Sequence, residues 1–277
     1  MAWYIFAGRW GCSRAIASML DYNGMGIYRD KEEESAMQNV EELIERSKPF
    51  LNYLVRWRQN LQPLALNTLV RNGRSPDQTA LMAVDVINGF CRTGPLASVR
   101  VAGIVAPIVL LFQNAYALGM RHFIFLHDAH DPEAVEFGSY PAHCVRDSEE
   151  SAPVPELKAL PFFDKLVTMM PKNSVNAAVG TALNTWLDAH PEVNTFIVVG
   201  DCTDICVYML AMHLRTRANA ANRLVRVIVP ANAVDTYDLP VETAAQTGAL
   251  PHDGELLHLI FLYHMRLNGI EVVAAIE

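Results

Sequence analysis

From Thr79 onward, short apolar runs of strand length alternate with longer stretches whose apolar residues recur at helical spacing. TALMAVDVI (79–87), RHFIFLHD (121–128), KLVTMMPK (165–172), NTFIVVGD (194–201) and LVRVIVP (224–230) are nearly continuous apolar runs. Strands of a parallel sheet, covered on both faces, have that pattern. Between them, residues 97–119 (closing at Gly119), 177–190 and 206–219 predict helices, a helical pair spans about 240–268, and IEVVAAI (270–276) adds a last short strand. Regular alternation of this kind predicts an α/β fold, a three-layer αβα sandwich around a mainly parallel central sheet, over 79–277.

The first 78 residues have a different pattern. SAMQNVEELIERSKPFLNYLVRW (35–57) predicts a helix of several turns, and 61–78 reads as a linker ending in the turn-rich RNGRSPDQ. The expected organisation is thus an N-terminal helical arm with linker over 1–78, followed by one α/β domain over 79–277. Such an arm packs on the core or on a neighbouring subunit, and a homo-oligomer is expected.

Composition narrows the partners. The formal net charge is −8, and the densest basic stretch, Arg215 to Arg226, has four arginines in twelve residues and reads as a solvated helix end. Phosphate backbones need a concentrated basic surface, so nucleic acid is not the expected partner. The five cysteines (12, 91, 144, 202 and 206) are odd in number and show neither zinc-ribbon nor CxxC spacing. The apolar start MAWYIFAGRWGC is cut by Arg9 and does not read as a secretory leader. No apolar run is read as approaching the roughly 20 residues that cross a bilayer. These features lead to the expectation of a cytoplasmic chain with free thiols and no membrane contact.

Parallel sheets gather chemistry at the carboxyl ends of their strands. Here those ends carry Asp85, Asp128, Lys172 and the turn from Asp201 to Cys206. In VVGDCTDICVYMLAMHL (198–214) a strand breaks at Gly200, passes a polar turn and resumes as a helix at Cys206. A thiol at a helix N-terminus is expected to have a lowered pKa, and the free N–H groups there can hold an oxyanion. Cysteine is also among the most buried residue types, so a core role remains open from this stretch alone. Asp85 as base and Lys172 as cation would complete a hydrolytic set. Asp128 and His130 form D-x-H, with His143 thirteen residues later in PAHC. A carboxylate and two imidazoles suit zinc, iron or manganese, while a polar surface loop with incidental histidines is the plainer alternative.

Three blocks, VDVINGFC (84–91), PKNS (171–174) and GDCTDICV (200–207), resemble the active-site blocks of the isochorismatase-like cysteine hydrolases, a superfamily that includes nicotinamidases and N-carbamoylsarcosine amidase. The resemblance runs in register from about Thr79 to the C-terminus. It implies a catalytic triad of Asp85, Lys172 and Cys206, and a cis peptide between Asp201 and Cys202. It also implies an oxyanion hole from the backbone N–H groups of Cys202 and Cys206. The loop 127–147 is similar to the metal loop of nicotinamidases, which implies a divalent metal (Zn, Fe or Mn) on Asp128, His130 and His143, with Glu136 as a further carboxylate. Phe90 keeps the family's aromatic after the first strand, which implies either a stacking surface for a planar ring or a core side chain. Ala129 replaces the Trp of D-W-H, Ile87 a frequent Gln, Gly89 a frequent Asp, and Asp147 the Gly after HCVR.

The function implied is hydrolysis of a small nicotinamide-like amide to acid and ammonia through a Cys206 thioester. An N-carbamoyl or ureido amidohydrolase without catalytic metal is the alternative within the superfamily, and a catalytically idle interaction module the alternative outside it. Asp204 is expected to cap the helix of Cys206. His213 reads as a core or interface residue, and His252, His258 and His264 are too far apart in sequence to stack as ligands on one helix face.

Overall fold

The computed structural model describes residues 39–70 and 75–277; the N-terminal apolar run, Cys12 and part of the 35–57 helix lie outside the described residues. The chain divides into two compact units, Met1–Ser47 and Lys48–Glu277, and the second contains everything discussed below.

Seven parallel strands form one sheet: β1 (Thr79–Val84), β2 (His122–Asp128), β3 (Val167–Lys172), β4 (Thr195–Asp201), β5 (Arg226–Pro230), β6 (Val234–Asp235) and β7 (Glu271–Val273). Their order is β3-β2-β1-β4-β5-β7, with β6 paired to the end of β4. β1 lies at the centre, and all six of its residues are buried. Alternate side chains point to opposite faces, and the core divides accordingly. Leu81, Ala83, Phe123, Phe125, Ile197 and Val199 pack against the segment 99–117, in a cluster with Ile108 and Phe112. Ala80, Met82, Val84, Ile124, Phe196 and Val198 pack on the other side with residues of the helices Leu183–Ala189, Cys206–Ala220 and Gly254–Leu267. The expected three-layer αβα architecture is present.

Several boundaries differ from the sequence reading, each for a local reason. β3 starts at Val167 because Phe163–Leu166 is a helical turn. The helix expected over 97–119 is two pieces, Val99–Ala102 and Val105–Ala117, separated by Gly103 and Ile104. The helix expected over 177–190 covers only Leu183–Ala189. Residues 61–70, read as linker, carry Leu66 and Leu69 at 2% and 1% exposure.

By length and composition alone, Val99–Ala117 is apolar enough to cross a bilayer, with a mean hydropathy of 1.5, contrary to the expectation that no run comes near that length. Of that stretch 39% is buried: Ile108, Phe112 and Ala115 are fully covered within the core cluster, while Val99 and Leu110 are exposed.

Candidate active site

Adjacent parallel strands end side by side, so residues far apart in sequence meet at one edge of the sheet. Asp85 directly follows β1, Asp128 ends β2, Lys172 ends β3 and Asp201 ends β4. Asp128 and Lys172 are register partners. The Asp85 backbone takes φ 57°, an uncommon conformation for a non-glycine residue. Its N–H donates to the Leu126 carbonyl at 2.9 Å, and its Oδ1 accepts from the Asp128 N–H at 2.7 Å.

The Lys172 ammonium lies 2.8 Å from Asp85 Oδ2 and 2.5 Å from Asp128 Oδ1. It also lies 3.6 Å from Cys206 Sγ. Lys172 is 2% exposed and Asp85 is fully buried, so the cluster is screened from water. The structure thus brings Asp85, Lys172 and Cys206 together.

Cys206 opens its helix as expected, but the thiol is not lowered in pKa. Burial pushes it well above its ordinary value, with Lys172 opposing and the carboxylates of Asp85 and Asp128 adding to the rise. The expectation of a lowered thiol pKa is therefore corrected: the helix terminus and one ammonium are outweighed by desolvation and two nearby acids. Burial and the neighbouring Asp128 also raise Asp85, to about 6, against the pull of Lys172. Burial alone would lower Lys172, but Asp128 and Asp85 hold it well above its usual range.

The turn before Cys206 contains a cis peptide between Asp201 and Cys202. Among the described residues, neither the Cys202 N–H nor the Cys206 N–H donates a hydrogen bond, while the Thr203, Ile205 and Val207 N–H groups all do. The expected capping role of Asp204 is overturned: the N-cap is Ile205, without a side-chain cap. Asp204 instead turns to His252, its Oδ2 lying 2.8 Å from Nε2.

A second cluster adjoins the first through Asp128. Asp128, His130 and His143 present ligand atoms within 4.8 Å of one another. His130 Nε2 is 3.4 Å from Asp128 Oδ1 and 3.9 Å from Glu136 Oε1; His143 Nε2 is 3.7 Å from Asp128 Oδ2. The opposite ring nitrogens are engaged from outside, His130 Nδ1 by Asn173 Oδ1 at 3.3 Å and His143 Nδ1 by the Pro141 carbonyl at 2.8 Å. Such outer contacts are how proteins orient imidazoles toward a metal. His130 Nε2 and Glu136 Oε1 are buried without a hydrogen-bond partner. Two orphaned donor atoms facing each other beside a carboxylate fit a divalent cation. The plainer reading of this loop, incidental surface histidines, does not hold, since His130 and His143 are 0% and 4% exposed.

A narrow cleft lies over both clusters, with Asp85, Asp128, Cys206, Glu136 and His143 in its lining. Phe90, which also packs in the core, lines it together with Tyr140, Tyr237, Leu96 and Ile205, which sequence reasoning missed. Tyr140 had a signal, three residues before His143 in the same loop; Tyr237 follows a two-residue strand and had none. The departures noted in the sequence have local causes. A Cβ on Gly89 would lie 2.4 Å from Cys144 Sγ, leaving no room for a side chain. Ile87 is fully buried in the core. Asp147 takes φ 63°, a conformation that Asp tolerates better than most residues. The remaining histidines go to separate partners: His258 to Thr203, His264 to Tyr208 and His213 to Asn184.

A family model for the isochorismatase domain matches residues 79–252. The chain belongs to the isochorismatase family. Nicotinamidase 1 of Arabidopsis thaliana is 32% identical over 238 residues, covering 78% of this chain and 91% of that protein. Among solved structures, a cysteine hydrolase from Pseudomonas syringae pv. phaseolicola superposes with a TM-score of 0.60 at 24% identity, over 76% of this chain and 92% of that one. A pyrazinamidase/nicotinamidase from Streptococcus mutans gives 0.57 at 23%, over 70% and 99%. These two share the isochorismatase-family fold, and the chain is an enzyme of this hydrolase family.

Proposed function

We propose that the protein is an amidohydrolase that cleaves a small nicotinamide-like carboxamide to its acid and ammonia through a thioester on Cys206. The observation that carries this reading is the buried contact of Lys172 with Asp85 and Cys206 beneath a cleft whose floor offers two unused N–H groups. The nicotinamidase relative supports the substrate class.

Because burial keeps the Cys206 thiol protonated, a base has to act as sulfur attacks. Asp85 takes that proton while Sγ bonds to the carbonyl carbon. The oxygen, now anionic, is received by the N–H groups of Cys202 and Cys206, and Lys172 balances the charge of the neighbouring carboxylates. On collapse the C–N bond breaks, the C=O re-forms and Asp85 returns its proton to nitrogen, which leaves as ammonia. Asp85 then takes a proton from water as that water attacks the thioester; the C–S bond breaks and the proton passes to sulfur, restoring the thiol and releasing the acid. Asp128, His130, His143 and Glu136 would hold a divalent cation, whose chemistry at that place is Lewis-acid binding of the substrate's polar end.

The test is ammonia release from a panel of carboxamides. Cys206→Ala and Asp85→Asn should each abolish it, and a Cys206→Ala variant keeping most of the turnover would rule out the thioester.

A further inference from the structure

Asp204 and His252 are 48 residues apart, and the mechanism above uses neither. Their pairing is buried: the side chains of Asp204 and His252 are 6% and 10% exposed. His252 lies in contact with Tyr237, the two rings stacked at 3.9 Å between centroids and 19° between planes. Its Nδ1 donates to the Tyr237 carbonyl at 2.9 Å, and its Nε2 faces Asp204 Oδ2 at 2.8 Å. The His252 backbone is fixed as well, exchanging hydrogen bonds with Leu239 at 2.7 and 2.8 Å. His252 is thus tied at both ring nitrogens, on one ring face and along its main chain.

Tyr237 is the element this arrangement immobilises, and Tyr237 lines the cleft with Cys202 and Cys206. His252 covers one face of its ring, and Tyr237 is part of the cleft lining with that stacked partner behind it. Asp204 belongs to the turn that carries the two unused N–H groups, so a single imidazole couples that turn to this wall. Ala129, where the family's D-W-H motif has a ring, contributes no side chain to the cleft lining.

We propose that Tyr237 is a specificity-determining wall of the substrate cleft, selecting amides that carry a planar ring, and that His252 and Asp204 are the positioning residues that hold it. A ring packed against a fixed aromatic gains more than its buried area alone gives, and a wall already ordered loses no further freedom when substrate arrives. The inference rests on the reading of this cleft as a carboxamide site.

The test uses the full-length Cys206→Ala protein titrated calorimetrically with nicotinamide and with acetamide as a ringless comparator. Adding Tyr237→Ala should weaken nicotinamide binding about fivefold to tenfold and leave acetamide unchanged. Tyr237→Phe should bind like the parent; His252→Ala should lose part of the affinity, and His252→Phe, which restores a stacked ring, should recover it. In the active enzyme Tyr237→Ala should raise KM for the ring amide with kcat within about twofold, whereas a merely structural role would lower kcat for every amide. Nicotinamide binding within about twofold of the parent in Tyr237→Ala, or none in the parent itself, overturns the proposal. If the binding pattern appears but the wild type releases ammonia from no amide, the hydrolysis reading falls and the wall stands. If the wild type hydrolyses amides with a KM indifferent to Tyr237→Ala, the reverse holds.

Discussion

Gly200→Ala tests whether the seam between β1 and β4 sets the geometry of the whole cleft. Gly200 takes φ 115° and faces Val84 in the last rung of the β1–β4 ladder. A Cβ added there would lie 1.9 Å from the Val84 carbonyl oxygen and 2.8 Å from the Val84 N and C atoms. That is about 1.5 Å short of ordinary contact, and the atoms in the way are main chain at the centre of the sheet, with no rotamer to change. The forced positive φ costs about 1–3 kcal/mol, and opening one or two rungs of the ladder costs about 1 kcal/mol each. The expected destabilisation is about 2–5 kcal/mol, a fall of about 4–20 °C in melting temperature for a domain of this size. Asp85 and the turn at Cys202 flank the clash, so activity per folded molecule should drop further still. Differential scanning fluorimetry with Gly138→Ala as control measures the first effect, since a Cβ on Gly138 meets nothing within 4 Å. A Gly200→Ala protein melting within about 2 °C of the wild type would refute the close approach of the two strands.

Other perturbations reach separate parts of the site. Lys172→Met leaves the buried Asp85 and Asp128 without their shared ammonium and should cost about 3–5 kcal/mol; an unchanged denaturation midpoint would count against that ion pair. Burial lowers the pKa of His252, but Asp204, the Tyr237 carbonyl and Asp238 outweigh it, so the net shift is upward. A raised imidazole pKa stabilises the fold below the unfolded value near 6.5 and stops doing so as pH rises through the folded value, while the lowered pKa of Asp204 contributes above about 3.9 and is lost as pH falls through its folded value. The melting-temperature gap between the wild type and His252→Phe should therefore be wider near pH 6 than near pH 9, and equal gaps would refute the pairing. Metal analysis of the purified protein should find a divalent cation in equimolar ratio to the chain, and His143→Ala should lose it; a variant that keeps its metal would remove His143 from the ligand set.

The fold was legible because the strand runs are apolar on both faces, a pattern that a central parallel sheet produces and little else imitates. Its edges were less so. The turn Phe163–Leu166 runs into β3 with no polar break, and the two-residue β6 is too short to leave a period. Asp85, Lys172 and Cys206 could be picked out because each sits at the end of a readable strand or the start of a readable helix. Asp204 was misread for want of its partner: helix-capping logic looks three residues ahead, and His252 lies 48 residues on. The state of the Cys206 thiol could not be read from the turn either, because the burial and the two acids that raise it come from β1 and β2. Tyr237 stayed hidden for the same reason, its neighbours in space having no neighbourhood in sequence.

The end of the chain has a practical consequence. The Ala274 N–H donates to the Gln62 carbonyl, the Leu64 N–H to Ala275, the Leu66 N–H to Glu277 and the Glu277 N–H back to Leu64, at 2.6 to 3.0 Å. The last four residues thus form a short ladder with 62–66 and hold that segment beside the core, where Leu66 and Leu69 are buried. Trimming them would free four main-chain groups and loosen a stretch more than 200 positions upstream.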